Sequence, residues 1–238
     1  MGELKTLSVM GLPVHWGTHY SDWLLLRHEQ GLGSHVVTLN AEMAMQADRT
    51  PVLKAIIQAA DLAIPDGAGI VLFFKVKGHH IKRHPGIELA ESLLNQLQPE
   101  QSAFFLGAAP GIAEQAAQNW QQQRPNLKIA GVEHGYLKPE EQPALHARLQ
   151  QLQPTVILVA LGVPRQEYWI TEQRSLCPNA IWIGVGGSFD IWAGIKDRAP
   201  EWLANNHLEW LYRLYQEPWR WRRMLALPQF ALRALTYK

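Results

Sequence analysis

Polar and apolar positions in the first 200 residues follow two alternating patterns. Short apolar runs rich in Val, Ile and Phe are typical of strands buried on both faces, and longer segments with apolar residues every three or four positions are typical of amphipathic helices. Strands are predicted at residues 35–39, 62–64, 103–106, 127–132, 156–161 and 180–185. Helices are predicted at residues 20–30, 41–46, 52–60, 68–76, 87–97, 112–123 and 139–151, with a further helix beginning at Arg165.

This alternation predicts an α/β fold. Strands that alternate with helices form a parallel sheet covered on both faces, so we expect a doubly wound, mainly parallel, Rossmann-like sheet. Residues 4–14 precede it as a strand or a hairpin that turns at Gly11-Leu12-Pro13. We expect residues 1–198 to form this core.

The pattern changes after residue 198. Residues 199–238 contain no strand signal, and Trp202, Trp210, Trp219 and Trp221 are interleaved with arginines on segments that Pro218 and Pro228 interrupt. We therefore expect a basic, helical C-terminal appendage. Three interpretations remain open for its aromatic residues: a membrane interface, packing against the sheet, or a surface for a partner helix.

Composition narrows the possible functions. The chain has 238 residues, 47% hydrophobic residues and a net charge of +1, which indicates a globular protein with no overall attraction to nucleic acid. Cys177 is the only cysteine, so an internal disulfide is excluded and a reducing compartment is expected. The N-terminal sequence lacks the apolar core of a signal peptide, and no run is long enough for a membrane-spanning helix. A cytoplasmic location is therefore expected.

Candidate chemistry lies at the predicted strand ends, which converge at one edge of a parallel sheet. Residues 155–169 combine a buried strand, a Gly162-Val163-Pro164 turn and a helix that starts with Arg165 and Gln166. Gly107 and Gly111 frame a helix start where backbone N–H groups favour an anion. The other polar strand-end residues are Thr38, Asn40, Asp66, Gly186, Gly187 and Asp190.

Asp66 has two interpretations. It follows a buried strand, so partial loss of solvation is expected to raise its pKa and suit it to general-base chemistry. It also stands just before a predicted helix, so it can act as a helix cap.

Several motifs of other enzyme classes are missing. The chain has no D-x-D pair, no C-x-x-C and no H-E-x-x-H, and its histidines lack the spacing of metal ligands. We therefore expect no metal and no cofactor. A bound diphosphate would then be held by arginines and backbone amides.

Five short motifs follow one another over nearly the whole chain. They read TLNAE at 38–42, PDG at 65–67, GVPRQE at 162–167, GVGGSFD at 184–190, and RAP at 198–200 continued by LEWLYR at 208–213 and Glu217-Pro218. Together, and in this order, they resemble the motifs of the WecG/TagA/CpsF glycosyltransferases. The resemblance implies an inverting enzyme that moves N-acetylmannosamine, N-acetylmannosaminuronate or glucose from a UDP-sugar to a polyprenyl-diphosphate-linked sugar.

The resemblance also implies roles for individual residues. Asp66 matches the proposed general base, Thr38 and Asn40 match pocket residues, and Gln166 matches the glutamine of the P-[KR]-Q-E motif. The appendage is expected to close over the active site and to dock on the cytoplasmic face of the membrane. A homo-oligomer is a further possibility.

One motif departs from the family pattern. Members commonly have Arg-x-x-Gly-x-Asp after the PDG helix, whereas this chain has Arg83, Gly86 and Glu88. If that acid touches the sugar, its longer side chain could change the choice of donor. Arg83 itself is expected to bind the diphosphate or a sugar carboxylate.

The resulting hypothesis is a single displacement. Uracil and ribose lie near residues 107–111 and 184–187, and the diphosphate is held by appendage arginines, for which Arg213, Arg220 and Arg223 are the candidates. Two other classes remain open. A nucleotide-sugar oxidoreductase or epimerase would need a G-x-G-x-x-G turn, which the first β/α unit lacks. A catalytically silent, membrane-associated nucleotide-sugar-binding subunit would keep the basic tail but lose the pocket residues.

Overall fold

The computed structural model describes residues 4–200, 202–203 and 208–237. Its centre is a six-stranded sheet in the order β4-β3-β8-β7-β5-β6, with every neighbouring pair parallel. These strands are β3 (Ser34–Leu39), β4 (Leu62–Pro65), β5 (Ala103–Gly107), β6 (Ile129–Glu133), β7 (Val156–Ala160) and β8 (Ile181–Gly184). The α/β, doubly wound, Rossmann-like prediction is confirmed.

Helices cover both faces of the sheet. One face is covered by α1 (Tyr20–Glu29), α5 (Gly86–Gln96), α6 (Ile112–Gln123) and α9 (Ser188–Trp192). The other is covered by α2 (Ala41–Arg49), α3 (Pro51–Gln58), α4 (Ala68–Val76), α7 (Gln142–Leu152) and α8 (Arg165–Gln173). Short 3-10 turns at Pro139–Glu141 and Arg174–Leu176 flank α7 and α8.

The apolar runs of the sequence form strands because both of their faces are buried. In β7, Leu158 packs on the face of the sheet that α1, α5, α6 and α9 cover, whereas Ile157 and Val159 pack on the opposite face. In β8, Ile183 and Trp182 are divided between the two faces in the same way. A strand enclosed on both sides shows no polar alternation, which accounts for the unbroken run in the sequence.

The N-terminal hairpin lies outside this sheet. Its strands β1 (Lys5–Val9) and β2 (Leu12–Trp16) pair antiparallel, and Ser8 is paired with Pro13. The turn is therefore at Met10 and Gly11, and the predicted turn at Gly11-Leu12-Pro13 is one residue too late. Leu12 is fully buried, so its side chain favours the strand over the turn.

The C-terminal part of the chain is helical in its described residues. It contains α10 (Glu209–Gln216), a 3-10 turn (Pro218–Arg220), α11 (Trp221–Met224) and α12 (Ala226–Thr236). α12 packs against α2 and α4 through Phe230, which is 1% exposed and joins the core of that face. Phe230 also lies edge-on to Phe73 of α4, with ring centroids 6.3 Å apart.

Candidate active site

The topology creates a crevice between two neighbouring strands, β3 and β8. The chain leaves β3 for α2 on one face and leaves β8 for α9 on the other, so the connections diverge where these strands end. In open α/β sheets this divergence is the usual location of a ligand site.

A cavity of about 290 Å³ lies at this point. Its inner side, here called the sheet wall, comprises Thr38 of β3, Asp66 directly after β4, Gln166 in the first turn of α8 and Gly186 after β8. Its outer side, here called the appendage wall, comprises Glu209, Trp210, Glu217, Arg223 and Leu227 of the C-terminal segment. Eight of the predicted site residues line the cavity: Thr38, Asn40, Asp66, Arg83, Gln166, Gly186, Gly187 and Arg223.

Asp66 lies at the end of β4 and is partly buried. Its Oδ1 atom accepts a hydrogen bond of 2.8 Å from the backbone N–H of Gly86, the first residue of α5. The carboxylate therefore caps α5, a helix that begins 20 residues further along the chain, and this cap was not predicted from the sequence. One carboxylate oxygen is thus fixed in direction while the residue still lines the cavity.

Thr38 and Asn40 hold the end of β3 against its neighbours. Thr38 Oγ1 donates a hydrogen bond of 3.2 Å to the carbonyl of Gly184 on β8. Asn40 is the N-cap of α2, and its Oδ1 accepts from Met43 N at 3.0 Å. Both side chains therefore have a structural contact in addition to their position at the cavity.

Gln166 is held by a buried chain of hydrogen bonds. Its Nε2 donates to Glu167 Oε1 at 3.0 Å, and its Oε1 accepts from Gly186 N at 3.2 Å. The other oxygen of Glu167 lies 2.9 Å from His35 Nε2, and His35 and Glu167 are 2% and 0% exposed. Because a carboxylate only accepts hydrogen bonds, the His35 ring must carry its N–H at Nε2. For the same reason the NH₂ group of Gln166 must face Glu167, which leaves the amide oxygen facing the N–H of Gly186.

His35 and Glu167 do not line the cavity but support Gln166 from behind, and sequence reasoning missed this role. A histidine and a glutamate at fully buried positions are uncommon unless they are paired, and the sequence did not show that they are partners. Two features of the sequence could have indicated this pair: His35 stands in the apolar run of a predicted strand, and Glu167 is the glutamate of the GVPRQE motif.

Glycines bring the elements of the sheet wall into close contact. A Cβ atom at Gly184 would lie 2.2 Å from Gln166 Nε2, and one at Gly86 would lie 2.5 Å from Thr38 Cγ2. A Cβ at Gly67 would lie 2.9 Å from the Cα atom of Asn40. The glycine of the PDG motif and Gly86 therefore have a packing reason, since any side chain would displace a neighbouring site residue.

Ion pairs join the appendage wall to the core. Arg83 Nη1 donates to Glu209 Oε2 at 2.7 Å, and Arg223 Nε donates to Glu42 Oε1 at 2.7 Å. Lys196, which was not predicted, lies 2.6 Å from Asp190 and 3.2 Å from Glu217. Partial burial opposes the charged form of Lys196, but its bonds to these two carboxylates outweigh that effect, so its pKa is raised.

Glu88, the departure from the family pattern, contacts Arg198. Arg198 lines the cavity and also lies 3.6 Å from Glu91, whereas Glu88 is half exposed and does not line the cavity. The structure therefore places Glu88 behind a cationic side chain of the site.

Some predicted site residues lie elsewhere. Gly107 and Gly111 border the start of α6, where a Cβ at Gly107 would lie 2.5 Å from the backbone of Ala160. Arg165 is exposed and donates to the carbonyl of Gly135 at 3.4 Å. Gly107, Gly111, Arg165 and Asp190 are absent from the described cavity lining, although Asp190 contacts it through Lys196. The side chains of Arg213 and Arg220 lie outside the described part of the chain.

The appendage tryptophans do not form a core. Trp202, Trp219 and Trp221 are exposed, and Trp210 lines the cavity. Packing against the sheet, one of the three interpretations, is therefore wrong for these three exposed residues, and the contact with the core is made instead by Phe230.

Within the described residues, no helix combines the length and apolar character needed to cross a membrane. The same residues contain no cluster of three or more His, Cys, Asp or Glu side chains that could hold a metal ion. The lysine and arginine side chains of the described cavity lining are Arg83, Lys196, Arg198 and Arg223.

Comparison with known proteins places this arrangement in a family. The family model described as Glycosyl transferase WecG/TagA/CpsF family matches residues 7–238. An N-acetylglucosaminyldiphosphoundecaprenol N-acetyl-beta-D-mannosaminyltransferase of Bacillus spizizenii is 36% identical over 212 residues, covering 88% of this chain and 82% of the relative. A protein of the same name from Bacillus subtilis is 33% identical over 221 residues, covering 92% and 86%. This chain belongs to the WecG/TagA/CpsF family of glycosyl transferases.

Proposed function

We propose that the protein transfers N-acetylmannosamine from a UDP-sugar to N-acetylglucosaminyl-diphospho-undecaprenol, with inversion at the anomeric carbon. The names of the two relatives support the transferred sugar and the lipid acceptor. The family resemblance of the motifs supports the UDP donor and the inverting course. The position of Asp66, with one oxygen fixed by the N–H of Gly86 at the edge of the cavity, is the observation that carries the proposal.

Asp66 is the proposed general base. It takes the proton of the acceptor hydroxyl as that oxygen forms a bond to the anomeric carbon of the donor. The bond from this carbon to the diphosphate oxygen breaks, and UDP leaves with the electron pair. A base placed in this way typically contributes about 10²–10⁴-fold to the rate.

The cations of the cavity are proposed to stabilise the leaving diphosphate. Arg83, Lys196 and Arg223 come from three different segments and meet at one cavity. Charged donors fixed in advance where negative charge develops need no reorganisation during the reaction, so they act on the transition state. We propose that they take the role that a metal ion has in other glycosyltransferases, which makes the reaction metal-independent.

Thr38 and Gln166 are proposed to position the sugars. Both are buried and both are bonded to the backbone of the β8 strand end, at Gly184 and Gly186. Their geometry is therefore set before substrate binds. Gly107, Gly111 and Arg165 are proposed to serve the more distant nucleoside portion of the donor.

The C-terminal residues 199–238 are proposed to act as an appendage that closes the site formed by residues 1–198 and contacts the cytoplasmic face of the plasma membrane. Its exposed tryptophans and its arginines fit the boundary between lipid and water. A lipid-linked acceptor would be met there.

The decisive experiment compares Asp66→Asn with Asp66→Ala. Asn keeps an oxygen that can accept from Gly86 N–H but cannot take a proton, whereas Ala removes the base and the cap together. We expect both variants to lose at least 100-fold in UDP release that depends on the lipid acceptor. Only Asp66→Ala should also lose about 1 kcal/mol of unfolding free energy, the typical value of a helix cap.

Two results would contradict this assignment. An Asp66→Asn enzyme with full activity would remove the base from the scheme. A wild-type protein that binds UDP-N-acetylmannosamine but releases no UDP with any lipid acceptor would support a silent nucleotide-sugar-binding subunit instead.

A further inference from the structure

The segment of residues 67–87 is strongly basic. It contains four Lys or Arg residues and no Asp or Glu, in a chain whose net charge is +1. Three of its cations, Lys75, Lys77 and Lys82, are exposed. Within the described part of the chain, none of these three lysines forms a salt bridge. The proposed function uses only the fourth cation, Arg83.

Both ends of this segment are attached beside Asp66. The segment begins directly after Asp66, and at its other end Gly86 N donates to Asp66 Oδ1 at 2.8 Å. His84 N donates to the carbonyl of Pro65 at 2.9 Å. The nine residues of α4 span about 13 Å at 1.5 Å per residue. The segment therefore leads away from the proposed base to the protein surface and returns to it.

The surface presented by α4 is apolar as well as basic. Leu72 and Val76 are 61% and 66% exposed, and their spacing of four residues places them side by side on one face of the helix. Phe74 and Ile81 are buried beneath them and anchor the segment to the core. An apolar face bordered by lysines is the pattern of a helix that lies in the interface of a bilayer with anionic lipid.

This surface continues onto the appendage. Phe73 of α4 packs against Phe230 of α12, so the two helices are neighbours. Leu232 and Leu235 of α12 are exposed, and so is Leu225, the N-cap residue directly before this helix. These three leucines make a second exposed apolar strip beside the first.

We propose that Leu72, Val76, Lys75, Lys77 and Lys82 form a second membrane contact, on the core itself, that takes an anionic phospholipid bilayer. The charge favours this occupant, because phosphate-bearing headgroups complement three lysines that have no described carboxylate partner. Because the segment starts and ends at Asp66, bilayer contact here would also hold the proposed base at a fixed distance from the membrane. That last consequence rests on the proposed function, whereas the lipid contact does not.

The test measures sedimentation of the full-length protein with vesicles of phosphatidylglycerol and phosphatidylcholine that contain no sugar donor or acceptor. The variant carries K75E, K77E and K82E. Each lysine near an anionic surface contributes about fivefold to partitioning, so we expect the triple variant to lose at least tenfold. A matched control with K5E, K128E and K138E, three exposed lysines outside the segment, should change binding less than threefold.

Contact between the apolar face of α4 and the bilayer is tested with a polarity-sensitive dye attached at single positions. Cys177 is buried, so a dye attached to V76C reports on this face, and the same dye on L152C of α7 is the control. We expect a blue shift on anionic vesicles for V76C only. Activity on a short-chain, water-soluble acceptor should be the same for wild type and the triple lysine variant, which separates a failed lipid contact from a failed transferase assignment.

Five results would overturn the proposal. Four concern vesicles: an equal loss of vesicle binding in both triple variants, no loss of vesicle binding in either, equal binding of the wild type to neutral and anionic vesicles, and no blue shift of the dye at V76C. The fifth is binding of the full-length wild-type protein to DNA but not to vesicles, which would assign the lysines to a nucleic acid instead.

Discussion

The two walls of the cavity are held by different kinds of contact. On the sheet wall, Gln166 is bonded to Glu167 and to the backbone of Gly186, in a place closed to solvent. On the appendage wall, the contacts are ion pairs of mixed exposure: the side chains of Arg223 and Glu42 are 41% and 26% exposed, and those of Arg83 and Glu209 are 13% and 15% exposed. Buried, fully bonded groups are costly to disturb, whereas exposed pairs contribute little and are screened by salt.

The two walls also differ in how their polar groups are occupied before a ligand binds. The sheet wall is complete without a ligand, since each oxygen of Glu167 already has its partner. The appendage wall instead pairs the cavity cations Arg83 and Lys196 with carboxylates of the C-terminal helices. A bound diphosphate would compete with Glu209 and Glu217 for these cations. Ligand binding and the position of the appendage are therefore expected to be coupled.

The largest expected effect is on the sheet wall, with Glu167→Ala. Removing this carboxylate leaves the Nε2–H groups of His35 and of Gln166 buried without their partner, and each unsatisfied buried donor typically costs about 1–3 kcal/mol of unfolding free energy. Urea denaturation measures it. Glu172→Ala, an exposed change in the same helix, should cost less than about 0.5 kcal/mol.

Glu167→Gln sharpens this test because the amide keeps one acceptor for a neighbouring N–H, so it should recover part of the lost stability. If Glu167→Ala were as stable as Glu172→Ala, the buried chain would not support the wall, and the contrast between the two walls would fail.

A smaller effect is expected on the appendage wall, with Glu209→Gln. The 2.7 Å pair with Arg83 neutralises a cation that the proposed function assigns to the diphosphate. Removing the negative charge should therefore tighten UDP binding at least about fivefold, because even an exposed ion pair can be worth about 1 kcal/mol and the side chains of this pair are only 13% and 15% exposed. Isothermal titration calorimetry measures it, with the exposed Glu140→Gln as a control of equal charge. Weaker binding would mean that Glu209 holds Arg83 in its working position.

Sequence patterns predicted the sheet wall better than the appendage wall. Strand ends converge in any parallel sheet, so the meeting of Thr38, Asp66 and Gln166 follows from topology alone. The partners Glu209 and Lys196 depend on how the C-terminal helices fold back, which hydrophobic periodicity does not specify. The Asp66 cap on α5 was missed for a similar reason, because it joins residues 20 positions apart.

Gly107 and Gly111 show the opposite problem. A glycine turn before a helix has the same sequence whether it binds a phosphate or allows a close backbone approach. Here Gly107 lies against the backbone of Ala160, with φ of 122°, which gives it a packing reason. Whether it also contacts the donor stays a prediction.

The smallest expected effect is the pH dependence of the loop behind the sheet wall. Burial lowers the pKa of His84 below 6.5, a shift that Glu88 partly opposes and Lys82 reinforces. His84 also lies edge-on to Tyr20, with ring centroids 4.6 Å apart. The folded state thus favours neutral His84, and its stabilisation is complete above pH 6.5 and is lost as the pH falls from 6.5 through the lower folded pKa.

Urea denaturation between pH 5 and pH 8 should therefore show the unfolding free energy falling as the pH drops below about 6.5. His84→Phe keeps an aromatic ring against Tyr20 but does not titrate, so its pH slope should be smaller than that of the wild type. Part of the slope should remain, because burial also lowers the pKa of His15, whose Nδ1 accepts from Ala63 N. An unchanged slope in His84→Phe would assign the whole acid sensitivity to His15 and its neighbours, and the loop behind Asp66 would then be independent of pH.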